Sequence, residues 1–244
     1  MTTIPDLFAA SAARDAARPF LTYYDDATGE RTELSYATID NWVSKTANLL
    51  VDGAGLGPGG QVSVNLPPHW LTGVIMLGAW RAGAAIRHDD AATDAAFVDE
   101  TLHTEAEADE VYAVALAPMA VGLRTESARA AAANGEVTDY LTEVRTHGDH
   151  YGGPRVSDDA PALVALPRGG DLSQAALVEA ARERAAELGL NGGERVLIAT
   201  DRPRPLDWLL APLASAGGVV LCVNSGAVDL AKRAASENAR TLTL

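Results

Sequence analysis

The sequence predicts an α/β fold, a mostly parallel sheet with helices on both faces. Short apolar runs of strand length alternate with longer segments whose apolar residues recur at helical spacing. Glycine-rich turns at 53–60 and 189–193 separate helical segments from the strands that follow them. The chain of 244 residues is long enough for one domain with a substantial buried core.

The first elements are predicted from capping residues and turn chemistry. A helix is expected over 4–17, with Thr3 as its N-cap. The runs 20–24 and 31–34 flank a turn-rich segment and predict a hairpin. Ser35 then caps a second helix with one apolar face. That face holds Ile39, Val43, Ala47 and Leu50.

The remaining elements alternate along the chain. Strands are predicted over 61–66, 84–86, 110–116, 163–166 and 239–244, and helices over 70–82 and 173–188. Alanine-rich, acidic helical segments extend to about Val144. The stretch 146–161 is rich in Gly, Asp and Pro, which is typical of a loop.

Two segments of the chain resemble each other. The sequence GLGPGGQV at 55–62 is similar to GLNGGERV at 189–196, and their offset is 189 − 55 = 134 residues. The pair Ala82-Gly83 returns as Ala216-Gly217 at the same offset. We therefore predict two similar α/β units, about 35–88 and 171–222, that share one sheet within a single domain covering 1–244.

Composition narrows the functional classes. The net charge of −14 disfavours binding to nucleic acid and to anionic lipid. No apolar run reaches the roughly 18 residues that a transmembrane helix needs, and Met1–Phe8 does not have the pattern of a secretory signal. Cys222 is the single cysteine, so no disulfide forms within the chain. We expect a cytoplasmic protein.

Two stretches resemble the adenylate-forming superfamily, which includes acyl-CoA synthetases, luciferases and peptide-synthetase adenylation domains. The first is 31–86, with LSYATI at 34–39, GGQVSV at 59–64, LPPHW at 66–70 and LGAWRAGA at 77–84. The second is 163–221. The resemblance covers about half of the chain and implies the fold of the N-terminal region of these enzymes.

In that superfamily a loop rich in Thr, Ser and Gly, ending in proline-lysine-glycine, cradles the ATP phosphates. Here the sequence ALPRGGDLSQ at 165–174 stands in its place, without the hydroxyl run and without a lysine. Arg168, Gly169 and Gly170 are the candidate remnant of this phosphate loop, with a plain turn before a helix as the alternative. Asp171 adds a negative charge that repels phosphate, and Gln174 stands where many relatives have histidine.

The resemblance also implies parts that these residues do not supply: an adenine-stacking segment, a magnesium motif, a ribose-binding aspartate and a C-terminal domain with a catalytic lysine. Because adenylate chemistry depends on such charges, we expect a truncated, degenerate relative with no catalytic or metal-binding residues and no required cofactor. Binding of ATP or AMP stays open. We expect action through a protein partner, a homo-oligomer or a small ligand. One alternative is an AMP-dependent synthetase/ligase for a carboxylic acid, completed by another polypeptide, and another is a nucleotide sensor.

Other candidate sites are better explained structurally. The segments 88–90 and 147–151 hold potential metal ligands, but neither supplies three or four convergent ligands. The glycines at 55–60 follow a helix and open a strand, the reverse of a phosphate loop. Cys222 lies in an apolar run and is expected to be buried. Four tryptophans are expected in the core, namely Trp42, Trp70, Trp80 and Trp208.

Overall fold

The computed structural model describes residues 2–119, 121–167, 170–199 and 203–244. The fold is α/β, with two mostly parallel sheets and flanking helices, which confirms the predicted class. The chain divides into two compact units. The first contains the residues through Asp40 together with Pro67–Gly73 and Ala175–Leu244, and the second contains Asn41–Leu66 and Val74–Gln174. Across the described ranges, no helix has the length and apolar character needed to cross a membrane.

The helices are numbered in chain order. They are α1 Ile4–Ala12, α2 Tyr36–Asn48, α3 Trp70–Ala82, α4 Glu126–Ala133, α5 Tyr140–Glu143, α6 Gln174–Glu187, α7 Ala211–Ala214 and α8 Leu230–Ser236. Two π-helical turns, Leu49–Gly53 and Leu206–Leu210, extend α2 and precede α7. Short 3₁₀ turns occupy His103–Glu105 and Val144–Thr146.

The strands alternate with these helices. They are β1 Pro19–Asp25, β2 Glu30–Ser35, β3 Gln61–Asn65, β4 Ala85–Arg87, β5 Thr93–Asp99, β6 Ala108–Val114, β7 Thr138–Asp139, β8 Pro161–Val164, β9 Leu172–Ser173, β10 Arg195–Ala199, β11 Gly218–Val223 and β12 Arg240–Leu242.

The first unit is built on a five-stranded sheet of order β12-β10-β11-β1-β2. Its pairs are parallel except for the β1–β2 hairpin. Beside the sheet, the rings of Phe8, Phe20 and Tyr36 pack together, with centroid distances from 4.7 to 6.0 Å. The Tyr36 hydroxyl donates to the Gly217 carbonyl at 2.6 Å, so this buried ring keeps its polar atom satisfied.

The second unit is built on a seven-stranded sheet of order β7-β6-β5-β3-β4-β8-β9, parallel except for the β8–β9 pair. Trp80 on α3 is fully buried and donates from Nε1 to the Ala162 carbonyl of β8 at 2.9 Å. Thr46 of α2 and Tyr140 of α5 share a buried hydroxyl–hydroxyl bond of 2.8 Å. These bonds join the helices to the sheet and to one another.

The predicted caps are present. Thr3 accepts from the Asp6 backbone N–H at 3.2 Å, and the Asp6 carboxylate accepts from the Thr3 N–H in return. Ser35 Oγ accepts from the Thr38 N–H at 3.1 Å. The first helix ends at Ala12 rather than Ala17, because Asp15 instead accepts from the Ala17 N–H in a turn that leads into β1.

The two similar segments form matching elements, but they do not share one sheet. β3 begins at Gln61 and β10 at Arg195, and 195 − 61 = 134, as the sequence repeat requires. β3 lies in the seven-stranded sheet and β10 in the five-stranded one, so the prediction of a common sheet is wrong. The two strands lie in different sheets because they pair with different strands. β3 pairs with β5, a strand that we did not predict, whereas β10 pairs with β12 and β11.

Candidate functional site

The candidate phosphate loop joins β8 to β9. These strands pair antiparallel, with Leu163 opposite Leu172, so the loop is the turn of a hairpin. Gly170 is exposed, has φ +84°, and a Cβ placed on it would meet no described atom within 4 Å. Arg168 and Gly169, the other two residues of the predicted remnant, lie outside the described residues. Gly170 therefore lies in an open turn.

A carboxylate closes the base of this loop. Asp171 Oδ1 accepts a hydrogen bond from the Ala165 backbone N–H at 3.0 Å. Ala165 has φ 55°, a left-handed conformation that is uncommon for a residue with a side chain. Phosphate loops present free backbone N–H groups to the anion. In this chain, the N–H at the loop base is already bonded to a protein anion.

The neighbouring strand supplies a cation that is also engaged. Arg87 ends β4 directly beside Val164 of β8. Its guanidinium bonds both carboxylate oxygens of Asp89, with Nη2 to Oδ2 at 2.8 Å, and Nη1 donates to Gln61 Oε1 at 2.7 Å. The bond to Asp89 is the main cause that raises the pKa of Arg87, and the charge of Asp171 acts in the same direction. Arg87 is thus balanced by carboxylates of its own chain.

A polar cleft of about 460 Å³ opens near Arg87, bordered by the ends of β3 and β4 and by the segment 105–107. Parallel sheets bind ligands where the strand order reverses, and here β3 lies between β4 and β5. The acidic residues that line the cleft exceed its single arginine. They are Asp89, Asp90, Glu105 and Glu107. This charge is unfavourable for a phosphate.

The two histidine-containing segments are placed as loop structure. Lys45 Nζ donates to the His147 carbonyl at 2.5 Å, and Asn48 Nδ2 donates to the carbonyls of Gly148 and His150 at 2.8 and 3.0 Å. Burial lowers the pKa of His88. In the described ranges, no group of three or more His, Cys, Asp or Glu side chains is arranged to hold a metal ion.

The remaining sequence candidates have structural positions. Cys222 is fully buried in β11, and burial raises the pKa of its thiol. Gln174 is fully buried at the start of α6, and its backbone N–H donates to the Ala160 carbonyl at 2.9 Å. Trp80 and Trp208 are core residues as predicted, whereas Trp42 and Trp70 are only half-buried.

Sequence reasoning missed Arg87 as a neighbour of the loop. The available signal was its position between a buried strand and the polar run His88-Asp89-Asp90. That it borders the loop depends on the pairing of β4 with β8, which are far apart in the sequence.

Solved structures show which class of fold this is. The anthranilate CoA ligase AuaEII, solved with anthranoyl-AMP, is similar with a TM-score of 0.67 and 12% identity over 90% of this chain and 44% of that chain. The N-terminal domain of FACL13 from Mycobacterium tuberculosis has a TM-score of 0.66 and 13% identity, with 98% and 62% covered. Apo MatB from Rhodopseudomonas palustris has 0.61 and 16%, with 90% and 45% covered. The fold is that of the N-terminal region of acyl-CoA synthetases, and the chain spans about half the length of AuaEII and of MatB.

Sequence comparison gives the family. The pattern that defines the AMP-binding enzymes matches residues 8–132. A protein of Mycobacterium tuberculosis strain H37Rv, described as "TIGR03089 family protein", is 37% identical over 237 residues, which cover 91% of this chain and 90% of that protein. This chain belongs to the AMP-binding enzyme family.

Proposed function

We propose that this chain is a non-catalytic member of the AMP-binding family that acts by binding a protein partner or a small ligand. It keeps the family scaffold, whereas the loop where relatives hold ATP phosphates has a different chemistry. On this proposal, the polypeptide alone neither requires ATP nor forms an acyl adenylate.

The bond from the Ala165 N–H to Asp171 is the observation that carries the proposal. An entering phosphate would have to break this bond and would meet the Asp171 carboxylate at close range. Both effects oppose binding, because like charges repel and the replaced hydrogen bond is charge-assisted.

The cations available to the loop support the same conclusion. The lysines of the chain are Lys45 and Lys232, far from the loop in sequence, and Lys45 bonds the His147 carbonyl. Arg87 donates a hydrogen bond to the Asp89 carboxylate, and the charge of Asp171 also raises its pKa. A phosphoryl-linked acyl group in transfer needs uncompensated positive charge, and neither Lys45 nor Arg87 supplies it; the loop's own Arg168 lies outside the described residues.

Family membership favours one alternative, an AMP-dependent synthetase/ligase activity on a carboxylic acid. In this case another polypeptide would supply the catalytic lysine and the magnesium ligands. Residual binding of ATP or AMP without turnover is the intermediate possibility, a nucleotide sensor.

The test uses the purified chain in two assays. Calorimetric titration with Mg-ATP and with AMP is expected to give no saturable heat, and a panel of carboxylic acids is expected to give no ATP–pyrophosphate exchange above the blank. A full-length acyl-CoA ligase assayed beside it shows that both assays work. Micromolar affinity for Mg-ATP, or carboxylate-dependent exchange by the chain alone, overturns the proposal. Exchange that needs a co-purifying polypeptide supports the alternative.

The binding role is tested by tagging the chain at either terminus and measuring, with purified components, the affinity of any protein recovered with both tags. A stoichiometric complex with a defined Kd supports the role. If neither tag recovers a stoichiometric partner and thermal-shift screening finds no ligand, the binding role is rejected.

A further inference from the structure

A second cleft lies in the first unit, remote in sequence from the β8–β9 loop. It has a volume of about 600 Å³ and opens at the amino edge of the five-stranded sheet. Arg18 precedes β1, Gly193 and Glu194 precede β10, and Asn238 and Ala239 precede β12. Because these three strands run in one direction, the residues that precede them lie at the same edge of the sheet.

The cleft concentrates positive charge in a strongly acidic chain. Arg18, Arg195 and Arg240 line it together with two carboxylates. Both carboxylates are paired: Glu194 with Arg240 through contacts of 2.5 and 3.0 Å, and Glu237 with Arg195 at 3.0 Å. The bond from Arg240 lowers the pKa of Glu194 and keeps it charged.

Arg18 is left as the uncompensated cation of this cleft. Its Nη2 donates to the Ala216 carbonyl at 2.6 Å, and its guanidinium lies 5.3 Å from the Tyr36 ring centroid. Within the part of the chain that the structure describes, Arg18 forms no ion pair with a carboxylate. A carbonyl and a ring face orient the guanidinium, but neither neutralises it.

Two hydrogen-bond donors in the same walls lack acceptors. Arg18 Nε and Arg195 Nε are both buried and have no hydrogen-bond partner among the described residues. A buried donor without an acceptor is rare in folded proteins, and such donors commonly bond a water or an ion. Gly193 lies beside this guanidinium, since a Cβ there would be 3.5 Å from Arg18 Nη1, within ordinary van der Waals contact.

We propose that this cleft binds a small oxyanion, either a carboxylate or a phosphate group, with the Arg18 guanidinium as its anchor. The planar guanidinium matches both groups through paired N–H donors. The overall charge of −14 repels anions at long range, so binding here depends on the local arginines.

The experiment is an NMR titration of the ¹⁵N-labelled full chain with inorganic phosphate and with acetate, at constant ionic strength. The expected result is a saturable shift of the backbone amides of Gly193, Arg195, Asn238 and Ala239 with at least one of the two probes. Arg18→Gln weakens that affinity about tenfold or more, the effect expected for loss of one charge-assisted contact. Arg18→Lys keeps the charge and falls between.

The matched control is Arg182→Gln, which removes an arginine of α6 that is paired with Glu179 outside the cleft. It is expected to leave the affinity unchanged. Shifts that do not saturate, or equal affinity in wild type, Arg18→Gln and Arg18→Lys, overturn the proposal. If Arg18→Gln does not fold, Arg18→Lys is the test. The proposal is then overturned when Arg18→Lys has the wild-type affinity and the amide shifts of the wild type are not confined to the cleft. The outcome is independent of ATP binding at the β8–β9 loop.

Discussion

Asp171 accepts a hydrogen bond from the backbone N–H of Ala165 at 3.0 Å, across the loop that joins β8 to β9. Phosphate-binding loops in general offer backbone N–H groups of this kind to the anion. The same type of donor is used in this chain to stabilise the loop itself.

This contact predicts a measurable loop contribution to stability. Asp171→Ala removes the acceptor for the Ala165 N–H and is expected to lower the free energy of unfolding by about 0.5–1.5 kcal/mol. Asp171→Asn keeps an acceptor oxygen and should lose less. Urea denaturation at neutral pH measures both, and equal stability of wild type and Asp171→Ala would contradict the assignment.

Trp80 is expected to contribute more through its indole N–H than Trp42 does. Trp80→Phe leaves the buried Ala162 carbonyl without its donor and should cost about 1–3 kcal/mol. Trp42→Phe is the control, since Trp42 is half-buried and phenylalanine keeps an aromatic ring for the Arg145 guanidinium, which lies 5.8 Å from the ring centroid. A larger loss in Trp42→Phe would show that the ranking is wrong.

Gly78 permits the close approach of α3 to α2. A Cβ at this position would lie 2.6 Å from Thr46 Cβ and 2.7 Å from Thr46 Cγ2. Gly78→Ala is therefore expected to destabilise by about 1–3 kcal/mol, although alanine is the better helix former. The matched control is Gly57→Ala, where a Cβ meets nothing within 4 Å. Thermal unfolding of the two variants should separate clearly, and similar melting temperatures would refute the packing argument.

Because of Asp207, the folded protein is expected to lose stability in acid. It is buried and bonds Arg184 Nε at 2.6 Å and Arg204 Nε at 2.9 Å. Burial alone would raise the pKa of Asp207, but the bonds from Arg204 and Arg184 outweigh it and the pKa is lowered. A carboxyl with a lower pKa in the folded state stabilises the fold above its unfolded value of about 3.9, and this contribution disappears as the pH falls through the folded value.

Denaturation of wild type between pH 7 and pH 3 should therefore show a decline below about pH 4 that Asp207→Asn partly removes. At pH 7, Asp207→Asn should cost about 1.5–3 kcal/mol, as expected for hydrogen bonds to charged groups. Glu179→Gln serves as control, because Glu179 is exposed and pairs with Arg182 at the surface. If Asp207→Asn retains the wild-type decline in full, Asp207 is not its source.

Cys222 is expected to resist alkylation in the folded protein. It is fully buried, and burial raises the pKa of its thiol, so both access and the thiolate fraction are low. Iodoacetamide at pH 8 should label the chain slowly in buffer and quickly in urea, as mass spectrometry can follow. Rapid labelling of the native protein would contradict the burial of β11.

Several features of the candidate site could be predicted from the sequence. The absence of a lysine and of a hydroxyl run at 165–174 is visible in the residues themselves, as is the acidic character of Asp171. The bond between Asp171 and Ala165 could not be predicted, because it depends on the left-handed backbone of Ala165 within the hairpin. The same holds for Arg87, which reaches the loop only through the pairing of β4 with β8.

The sequence by itself determined the α/β class and most of the helices and strands, because caps such as Thr3 and Ser35 and apolar periodicity act within one element. It also determined the repeat that returns as β3 and β10. Only the tertiary structure decided that these strands belong to different sheets, and that Arg18 meets the leading residues of β10 and β12. The physical reason is that strand pairing is chosen by contacts between distant residues, and no local pattern records those contacts.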